Sequence, residues 1–122
     1  MKRDMDLIRE ILLEVEKLPY TGGFHKVAIE GHSEDEITYH TLLLAEADLI
    51  EATVCSVFGA ESYLPVRLTW AGHEFLDAAK NDTIWRQAKE AAGKAGGLVF
   101  DVLKPILIQL SIEAAKGYLD LP

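Results

Sequence analysis

Four histidines (His25, His32, His40, His73) and a single cysteine, Cys55, are the side chains of this 122-residue chain best suited to metal or nucleophilic chemistry. Their spacing assembles no site. No pair stands in the H-E-x-x-H register that puts two imidazoles on one helix face, and Cys55 alone can complete neither a zinc set nor an intrachain disulfide. His73 and Glu74 are sequence neighbours that project to different faces of a helix, so they do not form a dyad. No phosphate-cradling glycine loop, dinucleotide fingerprint or nucleophile elbow occurs. The expectation is a non-enzymatic protein with no catalytic residues, no metal, no cofactor and no small-molecule substrate. The histidines are expected to bond to backbone or solvent, and Cys55 to sit in a strand as a small core residue.

The carboxylates are arranged less evenly. The net charge is −8, from 12 basic and 20 acidic residues. Residues 27–66 contain no Lys or Arg but eight carboxylates, and the flanking stretches are each balanced. Glu34, Asp35, Glu36, Glu46, Asp48, Glu51 and Glu61 of that stretch are the candidate acidic face for a protein partner. Phosphate backbones are bound by neutralising their charge, so nucleic acid is repelled from such a segment. Any DNA contact must lean on Lys2, Arg3, Lys26 and Arg67.

The elements that position these residues follow from periodicity. Residues 3–18 carry Met5, Ile8, Leu12 and Val15 at helical spacing, with Asp4 as N-cap or favourable first-turn charge and Pro19 as terminator. Phe24–Glu30 alternates like a short strand, and Ser33-Glu-Asp-Glu36 has the capping-box pattern. The chain after it reads as two helices, a short one at 34–37 and a longer one at 38–47. Ile50–Val57 and Tyr63–Trp70 read as paired strands, with Pro65 marking an irregularity. Thr69 caps a helix through Trp70, Phe75, Leu76 and Ala79, and Trp70 and Trp85 are expected to fill core. A second helix follows from Asp82. The segment after Leu98 is apolar nearly all round, and Pro105 fits it if it falls within the first turn.

This order is that of a winged helix-turn-helix domain, an α+β, mostly α fold with a β-hairpin wing and here an added C-terminal apolar helix. Thr38, Tyr39, His40 and Thr41 are then the recognition-helix surface. Tyr39–Ile50 resembles a recognition helix turning into a wing strand, and Leu68–Leu76 resembles the L-T-x-x-G-x-x-F-L string that leaves the wing. In that string Gly72 allows close helix approach. Asp48 stands where the turn often has Gly, and Asp tolerates the left-handed conformation. More narrowly, MKRDMDLIR at the start, TYH at 38–40, LTWAGHEFLD at 68–77 and Ile84-Trp85 resemble an uncharacterised bacterial domain-of-unknown-function family that recurs in phages and prophages. The resemblance implies a fold and a genomic setting, and no catalytic residues.

The expected organisation is a winged-helix domain at 1–92, a glycine-rich linker at 93–97 and a C-terminal helix at 98–122. A helix apolar on most sides needs two burial surfaces, so Val99, Leu103, Ile106 and Leu110 are the expected homo-oligomer interface. The charged start and the absence of an apolar run of about 18 residues lead to the expectation of a cytoplasmic protein without a membrane span. Two functions compete. One is a winged-helix regulatory or interaction module with weak DNA binding. The other is an acidic, nucleic-acid-mimicking inhibitor of a host defence or DNA-binding protein. A small enzyme has the least support.

Overall fold

The computed structural model describes residues 1–119. It is α+β and mostly helical, with the order α1 (Met5–Glu16), α2 (Glu34–Glu46), β1 (Ile50–Val57), β2 (Ala60–Leu68), α3 (Trp70–Ala79), α4 (Asp82–Lys94) and α5 (Phe100–Leu119). The chain divides into two compact units at Leu76/Asp77, a division that falls within α3.

In the first unit α1 begins where expected. The Asp4 carboxylate accepts from the backbone N–H groups of Asp6 and Leu7, satisfying two donors that a helix start leaves unpaired. Leu7, Ile8, Ile11, Leu12 and Val15 are buried along one stripe, and α1 packs on α2 and β2. Residues 34–46 form one helix instead of two. Ser33 and Glu36 close a complete capping box, and nothing interrupts the backbone ladder after it. One helix therefore stands between α1 and the hairpin where the winged-helix order expects a close pair.

Phe24–Glu30 is not a strand. It makes a single backbone bond to the hairpin, from the His25 N–H to the Pro65 carbonyl (2.9 Å), which is too little to build a ladder. Within the hairpin, Glu51 pairs with Arg67 but Ala52 with Pro65, so Val66 is the extra residue of a β-bulge beside the proline that cannot donate. The bulge lets Pro65 and Val66 both turn inward, and both are buried. Val57 pairs with Ala60 across a two-residue turn, so β2 starts three residues before the expected Tyr63.

Asp48 adopts the left-handed conformation (φ 58°) between α2 and β1. The next carbonyl, that of Leu49, accepts the Thr69 N–H at 3.0 Å. The Thr69 hydroxyl donates to the Asp48 carbonyl and accepts the Gly72 N–H at 3.1 Å, capping α3. Gly72, Phe75, Leu76 and Ala79 form the inward stripe of α3. Trp70 lies outside it and is 81% exposed, so only Trp85 of the two tryptophans is buried. The cap sets the phase of α3 and turns Trp70 outward.

In the second unit Asn81 caps α4 by accepting the Ile84 N–H, and α4 packs against α5 around buried Trp85, Ala88, Ala92, Leu103 and Leu107. Residues 95–99 form the turn between the two helices. Pro105 sits in the second turn of α5, not the first, so the Asp101 carbonyl lacks its usual helical donor. Of the expected oligomer residues, Leu103 is fully buried within the chain, Ile106 and Leu110 are half-buried, and Val99 is exposed. Leu103 is therefore withdrawn from any intersubunit surface. Residues 120–122 of the expected C-terminal segment lie outside the described residues.

A methyl group at Gly72 would stand 1.9 Å from the Leu49 carbonyl oxygen, a backbone atom that cannot move aside without breaking its bond to Thr69. Gly72→Ala is expected to destabilise the protein by about 3 kcal/mol, although alanine ordinarily favours a helix. Chemical denaturation checks this; a neutral or stabilising effect would contradict the close approach.

Candidate functional site: the acidic face of α2 and the hairpin

The proposed base-reading residues of α2 separate into two pairs. His40 and Thr41 are buried, whereas Thr38 and Tyr39 remain half-exposed. The Thr41 hydroxyl donates to the Ile37 carbonyl at 2.7 Å. His40 Nδ1 lies 2.8 Å from the Glu36 carbonyl, and Nε2 lies 2.8 Å from the Asp4 backbone N–H. A carbonyl only accepts and an N–H only donates, so the ring is the neutral Nδ1–H tautomer. His40 thus ties the N-cap of α1 to α2 across 36 residues of sequence. Its role is structural, and it is withdrawn from the recognition surface together with Thr41. The missed signal was spacing, since Ile37, His40, Thr41 and Leu44 stand at i, i+3, i+4 and i+7, which is one helix face.

What α2 shows to solvent is acidic at both ends, with Glu34 and Asp35 at its start and Glu46 at its finish. Half-exposed Thr38, Tyr39, Leu42 and Leu43 lie between them. Asp48 and Glu51 continue the exposed carboxylates into β1, and Glu61 places one on β2 beside the hairpin tip. The expected acidic residues are therefore on the surface, with Glu36 half-buried.

The expected basic contacts meet this face in a way the sequence did not reveal. Lys26 Nζ lies 2.7 Å from Glu34, and its hydrogen bond and charge hold the Glu34 carboxyl below its usual range. Arg67 Nε lies 2.8 Å from Glu51, its cross-strand partner. Both cations are thus engaged by carboxylates of the acidic face. Lys2 and Arg3 are exposed ahead of α1.

His32 joins the start of α2 to α1. Its Nδ1 is 3.0 Å from Glu36 and its Nε2 4.0 Å from Glu10. The Glu36 hydrogen bond is the main cause that raises the His32 pKa above the ordinary 6.5, with the charges of Glu36, Glu10 and Asp4 adding to it against partial desolvation. The same bond, with the Ser33 N–H, lowers the Glu36 pKa below 4.5.

A groove of about 320 Å³ opens between residues 24–27, α2 and the hairpin, lined by Phe24, Val27, Ile37, Leu64 and Pro65 with Cys55 and Tyr63. It brings no histidine to the cysteine. Among the described residues no group of three His, Cys, Asp or Glu side chains is placed to hold a metal ion, and no helix is long and apolar enough to cross a membrane.

Residues 2–98 match the family model described as "Hypothetical protein (DUF2513)". The chain belongs to the DUF2513 family. This DUF2513 chain is also 38% identical over 108 residues to an uncharacterized protein of Haemophilus influenzae, covering 87% of this chain and 92% of the relative. No solved structure matches it. The family match ends just before α5, so it spans α1 to α4 and the whole acidic face.

The His32–Glu36 contact fixes a pH window. The His32 contribution is fully present below 6.5 and is lost as pH rises through its raised pKa. The Glu36 contribution is present above 4.5 and is lost as pH falls through its lowered pKa. An NMR titration should place His32 above 6.5, and Glu36→Gln, which keeps the capping box, should return it toward that value. A His32 titration unchanged in the variant would refute the assigned cause.

Proposed function

We propose that this DUF2513 protein is a non-enzymatic interaction module in which α2 and the β1–β2 hairpin take the places of recognition helix and wing. Its outward surface is a protein-binding face directed at a basic partner. The observation that carries this reading is the pairing of Lys26 with Glu34 and Arg67 with Glu51. These two cations face carboxylates of the same face, while His40 and Thr41 are buried. The half-exposed Tyr39, Leu42 and Leu43 between acidic ends supply apolar contact area, and the charge supplies steering and selectivity. The narrower form is a phage- or prophage-encoded mimic of nucleic-acid charge that occupies a host defence or DNA-binding protein. A winged-helix DNA regulator is the second reading, favoured by the hairpin following α2 directly.

Glu46 and Glu61 test the face without disturbing the Arg67 pair. Glu46→Lys/Glu61→Lys should change stability by no more than about 1 kcal/mol, weaken salt-sensitive binding to a polyarginine peptide several-fold, and strengthen non-specific duplex DNA binding. Fluorescence anisotropy at physiological salt measures both ligands. A folded variant that loses no peptide affinity and gains no DNA affinity removes the proposal. Sub-micromolar, sequence-selective DNA binding by the unmodified protein would restore the regulator.

The reading includes a homodimer through α5. Pro105, Ile108, Ile112, Ala115 and Leu119 are all exposed and alternate at three- and four-residue spacing, the pattern of a helix–helix seam. They lie opposite buried Leu103 and Leu107, so this seam replaces the interface expected from sequence. Light scattering should give a dimer for the unmodified protein and a monomer for Ile108→Glu/Ile112→Glu. A monomer in both cases contradicts it.

A further inference from the structure

The hairpin tip holds a residue that its backbone does not favour. Val57 and Ala60 pair, leaving Phe58 and Gly59 as a two-residue turn with φ of 52° and 80°. Both positions are left-handed, the geometry that selects Asn or Asp followed by Gly. Gly59 fits that rule. Phe58 does not, because a bulky side chain in the left-handed region crowds its own backbone. Burial does not compensate, since Phe58 is fully exposed. A conformational cost and an exposed aromatic ring therefore coincide at one residue. No burial of the ring within the chain offsets that cost, so the ring is left available to a surface outside it.

Charge selects what that use is. An exposed aromatic tip can enter a membrane surface, wedge between nucleic-acid bases, seat on a second copy or fill a pocket on another protein. The first unit, which carries the hairpin, has fourteen acidic residues against six basic. Along residues 52–66 the only charged side chain is Glu61, next to the tip. Anionic lipid, nucleic acid and another copy of this unit all meet like charge there. A cationic protein surface meets opposite charge.

We propose that Phe58 is the anchor with which the hairpin engages a basic protein segment that also carries an apolar face, the ring filling an apolar site while Glu61 and the acidic face pair with the surrounding cations. This rests on the acidic-face reading above and adds to it the residue that gives selectivity for an apolar partner. Buried aromatic anchors dominate interface energetics while surrounding charges govern encounter and register, so the two parts separate experimentally.

Two peptides of equal positive charge make the separation: polyarginine, and an amphipathic Lys/Leu helix with one apolar face. Phe58→Asn places a residue suited to the turn and removes the ring. Its thermal midpoint should rise by about 2–5 °C, because the left-handed residue is now a favourable one. The unmodified protein should bind the Lys/Leu peptide more tightly than polyarginine. Phe58→Asn should lose about tenfold in affinity for the Lys/Leu peptide and keep its affinity for polyarginine. Equal binding of the Lys/Leu peptide by both proteins overturns the anchor and leaves the acidic face standing. No binding of either peptide by the unmodified protein overturns both. A lowered thermal midpoint in Phe58→Asn contradicts the conformational premise. Phe58-dependent binding to phosphatidylglycerol vesicles or duplex DNA, or Phe58-dependent self-association in sedimentation, assigns the tip elsewhere and also overturns the proposal.

Discussion

The carbonyl of Leu49 is the point on which the first unit closes. It accepts the Thr69 N–H from one side and leaves room on the other only for a glycine at position 72. Four chain segments meet there: the end of α2, the start of β1, the end of β2 and the first turn of α3. The left-handed Asp48 aims the carbonyl, and the Thr69 hydroxyl, bonded to Asp48 and to the Gly72 N–H, holds the helix against it. A hairpin alone is marginal in water, and this anchorage makes its base part of the folded core. The position of the hairpin relative to α2, and so the shape of the acidic face, follows from that closure.

Part of the charge of the face is met within the chain. Lys26 and Arg67 draw in one carboxylate each, and His32 bridges toward Glu10 and Glu36. Each is a solvent-accessible contact of the kind that contributes little stability alone. They also place the Lys26 and Arg67 cations against carboxylates of the chain itself. Glu46, Asp48 and Glu61 stay on the surface beside half-exposed Tyr39 and Leu42. Under the proposed reading, affinity for a basic partner comes from such apolar contacts, with charge setting orientation and rate.

Local rules made much of the architecture legible in the sequence. The Asp4 cap, the Ser33–Glu36 capping box, the left-handed Asp48 and the Thr69 cap each depend on a few neighbouring residues and each stands in the structure, whereas the tight approach at Gly72, a contact with distant Leu49, was legible only through the resemblance of its string. Expectations that depended on the third dimension fared less well. His40 looked like a surface donor because it is polar, yet its helix phase and a bond from distant Asp4 bury it. Trp70 looked like core because it is large, and the phase set by Thr69 turns it out. Alternation at Phe24–Glu30 suggested a strand, but strand pairing needs a partner edge, and Pro65 with its bulge offers one carbonyl. The ion pairs of Lys26 and Arg67 were invisible because Lys26 and Glu34 meet only through the loop that brings them together, and Arg67 and Glu51 only through the bulged register.

The bond from Asp4 to His40 spans 36 residues, so it can form only after α2 has been synthesised. α1 is made before α2 and β2, with Leu7, Ile8, Ile11 and Leu12 ready for burial, but its docking surface on them is finished only when Leu68 has been added. At about 5–20 residues per second, the apolar stripe waits several seconds without its partners. The eight carboxylates of residues 27–66, with no Lys or Arg among them, are added in the same interval, so the stripe waits beside a segment of strongly negative charge.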